Sequence, residues 1–186
     1  MNFVPSASQT VGPFFNYALT ANAALGMMAG DGATGERIRL TFRVFDGEGV
    51  PTPADSMIEL WQADAHGRYA HPSDPKAAQA DPNFSGFGRL ETDLNGTCTF
   101  ETVKPGAMGE SAPHINVAVF ARGLLKQLYT RVYFDGESLN ASDPVLALVP
   151  ADRRTSLIAK ATPGQANTWF LDIRLQGEAE TVFFDV

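Results

Sequence analysis

The stretch APHINVAVFARGLLKQLYTRVYF, residues 112–134, decides the fold expected for this chain. Apolar and polar residues alternate at both of its ends, and a short segment containing glycine separates the two ends, which predicts two strands joined by a turn. In the first strand Ile115 and the two valines that follow share one face, while His114 and Asn116 lie on the other. The stretch therefore predicts a strand pair with one buried face and one face that carries polar chemistry.

Similar strand patterns recur along the chain, separated by turn signals such as the Asn-Gly pair at 95–96. Together with the two strands in 112–134, strands are expected at 37–45, 57–62, 89–93, 97–103, 168–175 and 181–185. A short helix is expected at 152–160, and the Pro- and Gly-bearing residues 74–88 predict a long irregular excursion that shapes a pocket or an interface. About eight strands with little helix predict an all-β, antiparallel-rich β-sandwich with long loops, in one domain over residues 1–186.

The N-terminal residues 1–35 are interpreted as an extended arm. The Gly-Pro pair at 12–13 is expected to prevent regular structure, whereas Phe14 and Phe15 favour burial. Two placements are open. The arm packs on its own domain, which the arm's own residues favour, or it reaches a neighbouring chain.

Composition and charge exclude several classes of function. The 186 residues carry a formal net charge of −7, which argues against partners such as nucleic acid or an anionic membrane surface. The only cysteine, Cys98, alternates with Phe100 in a predicted strand and is expected to be a small buried apolar residue, with no intrachain disulfide. The N-terminal residues lack the basic and apolar regions of a secretion signal. Cytoplasmic localisation is therefore expected.

Several segments taken together, in chain order, resemble the intradiol ring-cleaving dioxygenases. The resemblance extends over nearly the whole chain, although any one segment alone would be weak. The segments are QTVGPF (9–14), ELWQADAHGRY (59–69), FGRLETD (87–93), FETVKPG (100–106), PHINVAVFARG (113–123), LYTRVYF (128–134) and DIRLQGEAETVFF (172–184).

The resemblance implies a β-sandwich whose members hold a ferric ion with two tyrosines and two histidines. Tyr69 matches the first tyrosine and His114 the first histidine, but the second tyrosine falls on Met108 and the second histidine on Asn116. A thioether is a soft ligand that cannot take a proton, and a carboxamide is a weak neutral one. We therefore expect these four positions to be vestiges of a metal site, with no metal held by this chain. Tyr69 is then a packed tyrosine and His114 a hydrogen-bonded interior histidine.

The resemblance also implies a partner. In this family, chains that lack ligands are alpha subunits, which pair with a homologous beta subunit that holds Fe³⁺, and the substrate pocket lies between the two. The implied reaction is the O₂-dependent cleavage of 3,4-dihydroxybenzoate to 3-carboxy-cis,cis-muconate. The residues implied to bind substrate are Thr10, Gly12, Pro13 and Arg131, with no catalytic residue in this chain alone. A guanidinium suits a carboxylate because it stays charged and offers a planar fork of donors; the alternative for Arg131 is an ion pair at the surface or between subunits.

Two other functions stay open at this point. One is a self-sufficient dioxygenase with an atypical iron site at Tyr69 and His114. The other is a non-catalytic β-sandwich module that binds or scaffolds. His66 and His71 support neither, because each lies in a predicted loop beside Gly or Pro, where histidines are usually solvated.

Overall fold

The structure is a computed structural model that describes residues 7–51 and 56–185, so the arm's residues 1–6 lie outside it. Within those ranges it contains one α-helix, α1 (Pro13–Thr20), and eight strands. The strands are β1 (Arg37–Phe45), β2 (Ser56–Trp61), β3 (Phe87–Glu91), β4 (Thr97–Val103), β5 (His114–Ala121), β6 (Leu128–Phe134), β7 (Ile158–Ala161) and β8 (Thr168–Arg174). Short 3₁₀ turns lie at Ala23–Gly26, Gly47–Gly49, Ala77–Gln79, Ser138–Ala141, Leu146–Leu148 and Arg154–Leu157.

The strands follow the order β3-β2-β5-β6-β7-β8-β1-β4 in one nearly closed sheet. Only β6–β7 and β1–β8 are parallel pairs; the other pairs named here are antiparallel. The short strand β7 joins the two halves, and their apolar faces share one buried cluster with Leu40 and Phe100 from one half and Ile58 and Val117 from the other. The all-β, antiparallel-rich prediction is confirmed.

The central pair β5–β6 confirms the prediction made from residues 112–134. Ile115, Val117 and Val119 are buried in the core, as their alternation indicates. The register sets His114 opposite Tyr133 and Asn116 opposite Arg131. Because β2 pairs with the other edge of β5, this pair lies in the interior of its half of the sheet.

The helix expected at 152–160 is wrong over its second half. A 3₁₀ turn ends at Leu157, and the chain then enters β7, where Ile158 and Ala159 pair with Tyr133 and Phe134 of β6. An extended segment that can pair with an existing strand satisfies its backbone groups without the cost of starting a helix. The neighbouring strand, which local sequence does not reveal, therefore decided the outcome.

The strand expected at 181–185 is also wrong. This segment forms only an isolated bridge, between Phe184 and Tyr129. Side chains take the backbone groups that a partner strand would use. Ser156 Oγ accepts from the Val182 N–H, and Thr130 Oγ1 donates to the Val182 carbonyl.

The expectation that Gly12 and Pro13 prevent regular structure is wrong, because α1 begins at Pro13. Proline suits the first helical position, where its missing N–H has no intrahelical acceptor and its fixed φ is already helical. The helix approaches β3 with its polar side, through a 2.9 Å bond from Asn16 Nδ2 to Glu91 Oε2. Its aromatic side chains point outward, and Phe14 is 91% exposed.

Other expectations are borne out. The Asn-Gly turn joins β3 to β4, with Gly96 at φ +70° as such a turn requires. The irregular excursion expected at 74–88 forms over 74–86, as part of a longer irregular stretch, 62–86, with one 3₁₀ turn inside it; residues 87–88 instead begin β3. Cys98 is buried, and burial raises the pKa of its thiol to about 12. In the described ranges the single α-helix has eight residues, too few to cross a bilayer.

Candidate functional site

The candidate site is built on the polar face of the β5–β6 pair. His114 and Asn116 are two residues apart on β5, and Tyr133 and Arg131 lie directly opposite them on β6. Because side chains alternate across a strand, all four project from one face. Arg131 Nε donates to Asn116 Oδ1 at 3.1 Å.

Tyr69 joins this face from the loop after β2. Asn116 Nδ2 donates to the Tyr69 hydroxyl at 3.1 Å and to the Trp61 carbonyl at 3.2 Å. The Tyr69 ring stacks on Trp61, with centroids 5.6 Å apart and planes 11° from parallel. We call Tyr69, His114, Asn116, Arg131 and Tyr133 the Arg131 cluster.

A buried carboxylate shapes the loop that carries Tyr69. Asp64 is 2% exposed, and its oxygens accept from the backbone N–H groups of Arg68 at 3.0 Å and Asp81 at 3.0 Å. The Tyr69 N–H donates to Asp74 Oδ2 at 2.7 Å. The position of the Tyr69 ring is therefore set by bonds within the excursion as well as by stacking on Trp61.

Met108 lies at the mouth of the same site. It lines a cleft of about 430 Å³ together with Tyr69 and Trp61. The Met108 loop approaches the Tyr69 loop so closely that a Cβ at Gly67 would collide with the Ala107 carbonyl oxygen, and Gly67 itself has φ +72°. The exposed His66 and His71 also line this cleft, in agreement with the prediction that they are solvated loop residues.

Burial keeps the titratable members of the cluster neutral. It raises the pKa of the Tyr69 phenol above its ordinary 10.0, against the opposing effects of the Arg131 charge and the Asn116 hydrogen bond. It raises the pKa of Tyr133 to about 12 and lowers the pKa of His114 below 6.5. At neutral pH the guanidinium of Arg131 is therefore the only charge in the Arg131 cluster.

That guanidinium is only partly satisfied. Its nitrogen Nη1 is buried and has no hydrogen-bond partner among the described residues. A buried donor without a partner costs about 1–3 kcal/mol, so native proteins seldom retain one without a reason. A group with an unused donor next to a cleft can bind an acceptor from elsewhere.

A second polar group lies behind Tyr133. Asp143 is fully buried and accepts from Tyr133 Oη at 3.0 Å and from the backbone N–H groups of Ala112 at 2.9 Å, Val145 at 3.0 Å and Leu146 at 2.7 Å. Burial raises the pKa of the Asp143 carboxyl, but these hydrogen bonds outweigh it and hold the pKa below 3.8. We call these five residues the Asp143 cluster.

The residues present do not fit a ferric ion. Asn116 already uses its amide on Tyr69 and its carbonyl on Arg131, and the guanidinium brings a positive charge to the same place. Met108 offers only a soft thioether. In the parts of the chain that the structure describes, no three His, Cys, Asp or Glu side chains gather as metal ligands.

The four positions matched to metal ligands are brought together, whereas the four residues predicted to bind substrate are not. Thr10 Oγ1 accepts from the Gly123 N–H at 2.7 Å, at the turn between β5 and β6. Arg131 pairs with Asn116, five residues from Ala121 at that end of β5, or roughly 17 Å along the strand. Within one chain, Thr10 and its neighbours Gly12 and Pro13 therefore lie apart from Arg131.

Three residues that organise the site were not predicted to belong to it. Period-two alternation places Tyr133 on the same face as Arg131, but it does not reveal the bond from Tyr133 to Asp143. The Ser-Asp-Pro turn signal at 142–144 could have pointed to Asp143 as a local acceptor. Asp64 carries no comparable local signal, since one of its partners, Asp81, is distant in sequence.

Comparison with known proteins finds one matching family model and several similar chains. A family model described as dioxygenase matches residues 10–177. The chain is 45% identical to the protocatechuate 3,4-dioxygenase alpha chain of Burkholderia cepacia, over 96% of each protein. It is 38% identical to the beta chain of the same organism, over 79% of this chain and 67% of that one.

A solved structure agrees with the fold. The intradiol ring-cleavage dioxygenase from Tetranychus urticae superposes with a TM-score of 0.64 at 20% identity, covering 80% of this chain and 84% of that one. At this identity the likeness concerns the arrangement of strands alone.

Proposed function

Because the chain belongs to the intradiol dioxygenase family, we propose that it is the alpha subunit of a protocatechuate 3,4-dioxygenase, with a homologous beta subunit completing the enzyme. The enzyme would cleave the ring bond between the two hydroxyl-bearing carbons of 3,4-dihydroxybenzoate and insert both atoms of O₂, giving 3-carboxy-cis,cis-muconate.

The observation that carries this proposal is the end-to-end match to an alpha chain. Identity to the alpha chain is 45% with 96% coverage of both proteins, against 38% and partial coverage for the beta chain. A chain that shared only the family fold would have no reason to match the alpha chain more closely and over a greater length.

The chemistry of the Arg131 cluster supports placing the iron on the partner. Fe³⁺ supplies the redox and Lewis-acid chemistry of intradiol cleavage, and this family implies it. The Arg131 cluster holds a guanidinium, a carboxamide and neutral phenols instead of an anionic ligand set. The proposal therefore assigns Fe³⁺ to the beta subunit.

The exposed side of α1 supports a partner interface at the arm. Phe14 is 91% exposed, Tyr17 68% and Phe15 53%, all within the eight residues of one helix. Neighbouring exposed aromatic side chains are typical of a protein–protein contact. The proposal includes this contact and a cytoplasmic location, with which the reduced, buried Cys98 is consistent.

We also propose that Thr10, Gly12, Pro13 and Arg131 contribute to substrate binding in the assembled enzyme. The unused Nη1 of Arg131 supports a carboxylate partner. The separation of Thr10 from Arg131 within one chain implies that the two groups would serve pockets formed with different neighbouring subunits or different parts of one interface.

The test is co-expression of this chain with its beta homologue. The expected result is a stable hetero-oligomer with one iron per chain pair, active on 3,4-dihydroxybenzoate, and neither iron nor activity in this chain alone. Stoichiometric iron with a tyrosinate-to-Fe³⁺ absorption band in the chain alone would instead indicate a self-sufficient enzyme. A lone homo-oligomer that binds no beta chain would indicate a non-catalytic module.

The interface is tested by Phe14→Ser, with Leu148→Ser as a matched control. Both side chains are more than four-fifths exposed, at 91% and 82%, so neither change should alter the stability of the chain alone. The Phe14 variant is expected to recover at least tenfold less beta chain in a pull-down, while the Leu148 variant behaves like wild type. Equal recovery by both variants would remove α1 from the interface.

The carboxylate role is tested by Arg131→Ala in the assembled enzyme. KM for 3,4-dihydroxybenzoate is expected to rise at least tenfold more than KM for catechol, which lacks the carboxylate. Arg39→Ala, at a side chain 64% exposed, is the control for general loss of a positive charge. Equal KM changes on both substrates would exclude a carboxylate contact.

A further inference from the structure

We propose that the guanidinium of Arg131 occupies the space between the side chains of the Arg131 cluster as a permanent cation. It thereby prevents a metal ion from binding there. The inference concerns side chains of this chain alone and does not rest on pairing with a beta subunit. It differs from the substrate role proposed above, because it uses the Nε–H that donates to Asn116 rather than the unused Nη1.

The first step is geometric. Arg131 stands directly opposite Asn116 in the register, and its Nε–H points to Asn116 Oδ1 at 3.1 Å. Asn116 in turn donates to the Tyr69 hydroxyl at 3.1 Å. The guanidinium is thus held among the oxygen atoms of the cluster, the place where a bound cation would have to sit.

The second step is electrostatic. Burial raises the pKa of Tyr69 and Tyr133 and lowers the pKa of His114; the Arg131 charge opposes the first two shifts and adds to the third, so it acts on three side chains of the cluster. A divalent or trivalent ion in this pocket would meet a fixed positive charge a few ångströms away. Because the site is half-buried, water and salt screen that repulsion less than they would at an exposed surface.

The third step concerns Tyr133. It lies two residues from Arg131 on the same face of β6, where the Arg131 charge acts on its phenol. Tyr133 Oη donates to the buried Asp143 carboxylate at 3.0 Å. One phenol therefore lies between the cation and a buried anion. Arginine stays charged at all accessible pH values, so this arrangement is permanent, unlike an exchangeable metal ion.

The test restores the missing ligand types with and without the cation. Full-length Met108→Tyr/Asn116→His is compared with the triple variant that adds Arg131→Met. Iron per chain is measured by elemental analysis after Fe³⁺ loading, and the tyrosinate-to-Fe³⁺ band by visible absorption. A second triple variant, which adds Arg153→Met instead, controls for general loss of positive charge at an exposed site.

The expected result is at least tenfold tighter iron binding in the Arg131→Met triple variant than in the double variant or the Arg153→Met triple variant. Equal affinity in all three, including no binding in any, would overturn the proposal. Should the multiple variants fail to fold, the single variants Arg131→Lys and Arg131→Met decide. A buried cation predicts that Lys recovers at least half of the loss in Tm that Met causes, and equal losses would overturn it.

Discussion

The Arg131 cluster and the Asp143 cluster lie side by side on the same strand pair and share Tyr133, yet their charged groups differ in how fully they are hydrogen-bonded. Asp143 is fully buried, and its two oxygens accept four hydrogen bonds. Arg131 is half-buried, and one of its nitrogens is buried with no partner among the described residues. The comparison distinguishes a charge whose hydrogen bonds stabilise the fold from a charge that retains an unused donor.

Position in the fold explains the difference. The donors to Asp143 are mostly backbone N–H groups of the segments 112 and 145–146, so the carboxylate ties two loops to β6. Arg131 donates to the side chain of Asn116, which in turn donates to Tyr69 in the wall of the cleft. Only a substitution to proline removes a backbone donor, whereas side-chain partners can change without loss of the fold.

The largest effect is expected from Asp143→Ala. It would leave the Tyr133 hydroxyl and three backbone N–H groups, two of them in buried residues, without an acceptor, at a cost of about 3–4 kcal/mol in the free energy of unfolding. Urea denaturation measures it. Asp152→Ala, at an exposed carboxylate, should stay within about 0.5 kcal/mol of wild type. A loss below about 1 kcal/mol for Asp143→Ala would contradict a structural role for the carboxylate.

A smaller effect is expected from Asn116→Ala. The change removes the acceptor of Arg131 Nε and the donor to Tyr69, but water from the cleft can replace part of both bonds. We expect a loss of about 1–2 kcal/mol in the free energy of unfolding. Gln165→Ala, at an exposed amide, is the control. If Asn116→Ala cost as much as Asp143→Ala, the two clusters would be equally structural.

The smallest effect on stability is expected from a change in pH. The folded-state pKa of Asp143 lies below its ordinary 3.8, so its contribution to stability is complete above about pH 4 and is lost as pH falls through the lower folded-state value. The stability difference between wild type and Asp143→Asn should therefore be constant from pH 5 to 8, within roughly 0.5 kcal/mol. It should shrink below pH 4. A difference that grew on acidification would mean that the folded-state pKa is raised.

Much of the fold could be predicted because strand alternation is local. The limits of β1 and β4 agree with the alternation, and so do the buried and polar faces of β5. The errors fell where a distant segment decided the outcome. Residues 158–161 extend because β6 lies beside them, and residues 181–185 do not form a strand because Ser156 and Thr130 take the backbone groups of Val182.

The ligand types that this chain lacks follow from its residue identities. A methionine at 108 and an asparagine at 116 cannot supply phenolate or imidazole in any fold, because donor type belongs to the side chain. The groups that occupy the site in their place follow from the folded arrangement. The strand register sets Arg131 opposite Asn116, and the loop after β2 brings Tyr69 to the same face. Register and loop path are set by contacts between distant residues, which no local pattern encodes.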